Sequence, residues 1–186
     1  MAGSKLRVLG GSARGMPLSE PRGARLRPTS GLVREAIFNI LGDLVSGARV
    51  LDLFAGTGAL GIEALSRGAA AAVFVEGDPA CCQAILQSTA RAGFGDHAKV
   101  VRGRLPAALR DLPGSFNLIL LDPPYDSEAG AETLAALAAL LSESGLVVYE
   151  HRSRYNPPER PAGLSLQERR VYGDSALALY VRQEGE

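Results

Sequence analysis

Between residues 50 and 150, short apolar runs alternate with stretches whose apolar residues recur at helical spacing. This alternation constrains the fold more than any other feature. Residues 50–54, 72–76, 99–102, 116–121 and 146–150 read as strands, and 58–67, 79–92, 106–111 and 131–141 as helices. A strand that returns through a helix to the next strand favours a parallel sheet with helices on both faces. Upstream, Pro28-Thr29-Ser30 is a helix start signal, followed by Val33, Ile37, Ile40, Leu41 and Leu44 at helical period, with Gly47 closing the helix. Downstream the rhythm breaks: 164–171 and 176–182 read as two strands joined at Gly173-Asp174, a hairpin turn signal. The opening stretch, with Gly10-Gly11, Arg14-Gly15 and Pro17, is turn-rich and extended, a short hairpin. No internal repeat is visible.

A chain of 186 residues fits one domain with a small appendage. The division expected is a basic extension over residues 1–28 and a single larger domain over 29–186. Cys81 and Cys82 are adjacent, with α-carbons only about 3.8 Å apart, a poor geometry for a disulfide. Two thiols without a framework fit a reducing cytosol. The first residues carry no apolar signal core, and no uncharged run is long enough to cross a bilayer, so a cytoplasmic location is expected. The formal net charge of zero hides an asymmetry. Lys5, Arg7, Arg14, Arg22, Arg25, Arg27 and Arg34 stand against Glu20 alone in the first 34 residues, a net of +6. A basic end on a neutral chain reads either as a phosphate-binding surface or as a solvated arm.

The stretch Val50-Leu-Asp-Leu-Phe-Ala-Gly-Thr-Gly-Ala-Leu-Gly61 places glycines at 56, 58 and 61, a literal G-x-G-x-x-G. Physically it is a strand that ends in a loop where backbone approaches a ligand, followed by a helix N-terminus. Asp52 is the discriminating residue. A carboxylate there would repel the pyrophosphate of a dinucleotide but favours the ammonium and sulfonium of S-adenosylmethionine. The alternative is a capping or loop carboxylate. Glu76, at the end of the next strand, suits a ribose hydroxyl, a device that dinucleotide enzymes share.

Asp122-Pro123-Pro124-Tyr125 directly follows the apolar strand 116–121, on the side of a parallel sheet where ligands bind. Two prolines stiffen the loop and leave carbonyls free to accept. The Asp122 carboxylate and a carbonyl of the Pro-Pro segment can take both hydrogens of an exocyclic amine, which aims its lone pair at a methyl carbon. Tyr125 offers a face for stacking the base, worth roughly 1–3 kcal/mol. Transfer of this kind needs no metal and no covalent enzyme intermediate; positioning carries it. The competing reading is a Pro-Pro strand terminator with a surface tyrosine.

With these motifs in place the chain resembles the bacterial 16S rRNA guanine-N2 methyltransferases of the RsmD type, over nearly its whole length. The carriers are Arg7-Val-Leu-Gly-Gly-Ser-Ala-Arg-Gly15, Leu26-Arg-Pro-Thr29, Val33-Arg-Glu-Ala-Ile-Phe-Asn39 and the glycine loop from Asp52. Phe74-Val-Glu-Gly-Asp78, Asp122 to Tyr125 and Arg170-Val-Tyr-Gly-Asp-Ser175 complete them. The glycine loop and the Asp-Pro-Pro-Tyr segment are shared with many amino-methyltransferases, whereas the basic N-terminal segment is more specific. The resemblance implies a Rossmann-like class I methyltransferase fold, α/β, with a mostly parallel seven-stranded sheet and a C-terminal antiparallel hairpin. It implies S-adenosyl-L-methionine as donor and 16S rRNA as partner, in the small ribosomal subunit or an assembly intermediate, with the chain acting as a monomer. Asp52, Phe54, Gly56, Thr57, Gly58 and Glu76 fall on the cofactor, and Asp122, Pro123, Pro124 and Tyr125 on the reactive amine. Arg7, Arg14, Arg25, Arg27 and Arg34 fall on the RNA. Two positions depart from the pattern. Arg102-Gly103-Arg104 stands where many relatives carry a small polar or acidic residue toward the adenine, and Met16 where a basic residue is common.

The remaining polar residues read blandly. His97 precedes a strand and is expected at the surface, and His151 has no second ligand at metal spacing. Cys81 and Cys82 read as helix packing. Arg152, Arg154 and Arg160 read equally as phosphate contacts or solvated side chains. The N-terminal forty-odd residues are too few for a separate DNA-reading module, so the shape of a structured RNA is the expected determinant. The alternative is another amino-methyltransferase, acting on adenine or cytosine of DNA or RNA, or on a protein glutamine.

Overall fold

The computed structural model describes residues 6–21, 30–124 and 128–183. Helix α1 (Gly31–Leu41) begins where the Ser30 side chain accepts the Val33 N–H, as the start signal predicts. It stops earlier than expected. Gly42, at φ 48°, turns the chain into a short 3-10 segment, Gly42–Val45, and leaves Leu44 exposed. There follow β1 (Arg49–Leu53), α2 (Ala59–Ser66), β2 (Ala71–Glu76), α3 (Pro79–Arg91), β3 (Ala98–Arg102) and β4 (Phe116–Leu121). Helix α4 (Glu128–Ala135), β5 (Leu141–Arg152), β6 (Leu164–Tyr172) and β7 (Ser175–Arg182) complete the chain.

The strands form one seven-stranded sheet in the order β3-β2-β1-β4-β5-β7-β6. The first five pair in parallel, while β7 runs antiparallel between β5 and β6. The expected parallel sheet with an antiparallel C-terminal pair is therefore present. Alternate strand residues bury on opposite faces. Val50, Phe74, Leu118 and Leu120 pack with α1, α2 and α3, whereas Leu51, Val75, Ile119 and Leu121 pack with Leu134 and Leu137. Each such side chain, fully removed from water, contributes roughly 1.5–3 kcal/mol.

Residues 131–141 correct the sequence reading. The helix ends at Ala135, and successive turns lead to Leu140, whose carbonyl accepts the Phe116 N–H at 2.8 Å. Leu141 then pairs with Phe116 at the start of β5. An alanine- and leucine-rich run satisfies a helix locally, but a sheet partner and burial of Leu137, Leu140 and Leu141 win here. At the other end of the chain, the Val8 N–H donates to Met16 O and the Leu18 N–H to Leu6 O, closing a small hairpin. Val8 and Leu18 lie in the same core cluster as α1 and α2, so this hairpin is packed onto the sheet domain rather than tethered beside it.

Candidate active site at the tips of β1 and β4

β1 and β4 are neighbours, with Leu53 beside Leu121 at their ends. The chain leaves β1 through Phe54, a bulky residue held at φ 57°, then Gly56 at φ 55° and Gly58 at φ 74°. A non-glycine residue in this left-handed region costs on the order of 1–3 kcal/mol, and such outliers cluster at ligand sites. Gly61 explains the third glycine of the motif. A Cβ there would come within 2.3 Å of the Phe74 ring and 3.0 Å of Asp52 Oδ2. Its bare N–H donates instead to Asp52 Oδ2 at 2.8 Å, which ties the first turn of α2 to the end of β1. Thr57, in the same loop, is buried.

The tip of β4 joins this loop directly. The Asp122 N–H donates to Leu53 O at 3.4 Å, and the half-buried Asp122 is followed by a buried Pro123 and an exposed Pro124. Pro123 is clamped from above by α4. A Cβ on Gly130 would lie 2.7 Å from its Cγ and 3.1 Å from the Tyr149 hydroxyl, so only a glycine lets the helix sit this close. Tyr125 lies outside the described residues.

Three carboxylates meet here. Asp52 is only 1% exposed, and its carboxyl is held well above the ordinary carboxylate range. Burial is the main cause and the Gly61 N–H opposes it, while the charges of Asp122 and Glu76 push in the same direction as burial. Glu76 bridges the loops. Its Oε2 accepts the Gly56 N–H at 2.7 Å and its Oε1 the Asp78 N–H at 2.8 Å. Each oxygen keeps a second lone pair for a hydroxyl donor. Such a cluster repels a pyrophosphate and is relieved by a cation, so the residues fit the ammonium and sulfonium of S-adenosylmethionine.

The basic set divides. Arg7 and Arg14 are exposed on the hairpin, Arg7 with a guanidinium hydrogen bond of 2.7 Å to Gly15 O. Arg25 and Arg27 lie outside the described residues. Arg34 is a correction to the RNA-facing reading, because it is 2% exposed and its Nη2 donates inward to Arg7 O at 2.6 Å. It sits on the apolar stripe of α1 with Val33, Ile37, Phe38 and Leu41, and Glu63 is its electrostatic counterpart. Sequence reasoning missed Glu63 altogether. Fully buried on α2, it accepts the Leu9 N–H and Gly10 N–H, both at 2.7 Å, and Arg67 Nε–H at 2.8 Å. The one available signal was the i,i+4 spacing of Glu63 and Arg67 on an otherwise apolar helix. Through Glu63 the basic hairpin is fastened to the helix that begins at the glycine loop.

On the outer side, Arg102 and Arg104 are both exposed, and the Gly103 N–H donates to Glu76 O at 2.9 Å. His97 is exposed, as expected, and Cys81 and Cys82 are buried. A cavity of about 280 Å³ lies at the opposite end of the sheet, lined by Asp43, Ser46, Asn117 and Ser144 among others. It is at the amino ends of the strands, away from the carboxyl ends where parallel sheets bind ligands.

The family model for Conserved hypothetical protein 95 matches residues 6–181. Ribosomal RNA small subunit methyltransferase D of Escherichia coli (strain K12) is 37% identical over 185 residues, covering 98% of this chain and 93% of that one. YlbH of Bacillus subtilis (strain 168) is 37% identical over 184 residues, covering 96% and 100%. The solved structure of yhhF from Escherichia coli superposes with a TM-score of 0.84 at 34% identity, covering 97% of this chain and 99% of that one. The chain therefore belongs to the RsmD family of S-adenosylmethionine-dependent methyltransferases, built on the Rossmann-like fold of that class.

Proposed function

We propose that the chain methylates the exocyclic N2 amine of a guanine in 16S rRNA, acting in the cytoplasm as a monomer on the small subunit or an assembly intermediate. The observation that carries this reading is the Asp122 N–H to Leu53 O hydrogen bond, which brings an amine-holding loop against a cation-favouring one. The name of the Escherichia coli relative supports rRNA as the acceptor. The guanine is what the resemblance implies, through its more specific part, the basic N-terminal segment.

S-adenosylmethionine supplies an electrophilic methyl group on a sulfonium. Asp52 holds the positively charged end of that donor, directly or through water. Glu76 accepts a ribose hydroxyl, and Phe54, Gly56, Thr57 and Gly58 shape the loop around it. At the neighbouring tip, the Asp122 carboxylate and a carbonyl of the Pro123-Pro124 segment accept the two amine hydrogens. This draws the nitrogen toward tetrahedral geometry and fixes the direction of its lone pair. Tyr125 stacks on the base, which must leave any helix it occupies. As the nitrogen–methyl bond forms, the methyl–sulfur bond would break and leave a neutral thioether; the methylated nitrogen is then strongly acidic and would pass one proton to Asp122 or to water, so Asp122 need not be a strong base beforehand. Residues 1–28, with Arg7, Arg14, Arg25 and Arg27, form the RNA-facing extension, and residues 29–186 form the catalytic domain.

Incubation with labelled S-adenosylmethionine and, separately, small-subunit rRNA, assembled subunits, DNA and protein tests this reading. Nucleoside digestion and mass spectrometry should give N2-methylguanosine from one of the first two. Label in adenine, cytosine or a glutamine side chain would replace the proposal with another amino-methyltransferase.

A further inference from the structure

The tip of β5 stands beside that of β4, with Tyr149 in register with Leu121, and carries a cluster of three rings. Tyr149 and His151 are buried, at 4% and 3% exposure, whereas Tyr155 is 39% exposed. Tyr155 meets both inner rings edge-on, its centroid 6.5 Å from Tyr149 and 5.7 Å from His151. The inner rings are anchored in turn. Tyr149 abuts the Gly130 contact that clamps Pro123, and His151 Nδ1–H donates to Arg152 O at 2.8 Å. The loop that bears Tyr155 is pinned as well. Arg169 donates to the carbonyls of Ser153 and Tyr155, the Ser153 N–H donates to Asp174 O, and the Tyr180 hydroxyl donates to Pro158 O. The chain next to Tyr155 carries Arg152, Arg154 and Arg160, all exposed, with Glu159 as the one acid between residues 151 and 163.

A lone surface tyrosine needs no explanation. This one is a rigidly supported aromatic face on a basic loop, one strand from the amine-holding tip. Base stacking on a preorganised ring with an arginine nearby is how unpaired nucleotides are held.

We propose that Tyr155 is a stacking platform for a base flanking the target guanine, with Arg154 on an adjoining phosphate. Tyr149 and His151 are positioning residues that hold the platform. The inference rests on the nucleic-acid reading above and extends it to a contact that the Asp-Pro-Pro-Tyr and N-terminal segments do not supply.

Binding of small-subunit rRNA and of S-adenosylhomocysteine to Tyr155→Ala, Tyr155→Phe and Arg154→Ala tests it. Loss of the ring should weaken rRNA binding by roughly 5- to 100-fold, while Tyr155→Phe stays within about twofold. S-adenosylhomocysteine affinity should not move in any of the three variants; the melting temperature should hold in Tyr155→Phe and Arg154→Ala and fall modestly in Tyr155→Ala, which loses the ring contacts with Tyr149 and His151. Arg154→Ala should lower the slope of log K against log salt by about 0.7–0.9. The proposal is overturned if Tyr155→Ala binds rRNA like the parent, or if Tyr155→Phe loses as much as Tyr155→Ala, which would assign the effect to the hydroxyl. Should the parent bind another polynucleotide and not rRNA, the functional reading fails, and the same pair of variants on that polynucleotide decides the role of Tyr155. Binding to no nucleic acid overturns both.

Discussion

At Asp52, burial and neighbouring charge set the proton balance. Its buried carboxyl titrates above its unfolded value, so it contributes stability below the ordinary carboxylate pKa that is lost as pH rises through the folded one. A bound ammonium reverses the balance by favouring the ionised form. S-adenosylhomocysteine should therefore bind more tightly as pH rises through the Asp52 transition, with proton release visible by calorimetry in buffers of different ionisation enthalpy. Asp52→Asn should weaken binding and remove that proton release; unchanged proton release in the variant would place the titrating group elsewhere. The places of Asp52 and Asp122 at the tips of β1 and β4 were legible in the sequence because each sits at the end of an apolar run, before residues that dictate a backbone shape. Arg34 was misread because it was counted by charge. Its position one residue after Val33 and three before Ile37 puts it on the buried stripe of α1.

Among the elements, the hairpin and α2 behave as one unit. Glu63 could not be read as their fastener, because its partners are backbone N–H groups 53 and 54 residues away. Breaking a buried, fully bonded carboxylate costs about 3–5 kcal/mol. Glu63→Ala should lower unfolding free energy by that order and raise amide exchange at Leu9 and Gly10 ahead of the sheet. Protection at those amides equal to the parent's would show that the hairpin is held by something else. Strand and helix alternation was legible from β1 to β4, where each element repeats one period. It failed at 131–141, where the local preference of an alanine-leucine run yields to a sheet edge contributed by Phe116.

At the scale of the molecule, a chain with no net charge carries a net of +6 in its first 34 residues, and the described hairpin of that segment is fastened to α2 through Glu63. Arg25→Glu with Arg27→Glu should weaken rRNA binding and flatten its salt dependence by about 1.4–1.8 in slope. S-adenosylhomocysteine affinity should stay unchanged; loss of cofactor affinity instead would place these arginines in the donor site. The overall architecture was legible from periodicity and two motifs, but the joining of β1 and β4 was not, since strand order depends on pairing between distant segments. That adjacency is the ground for assigning donor and acceptor to neighbouring tips. The single-turnover rate of Asp122→Ala, at saturating cofactor and rRNA, bears on it most directly. The rate should fall by a factor on the order of a thousand, with S-adenosylhomocysteine bound as tightly as by the parent. A rate close to the parent's would mean that the amine is held somewhere other than the tip of β4.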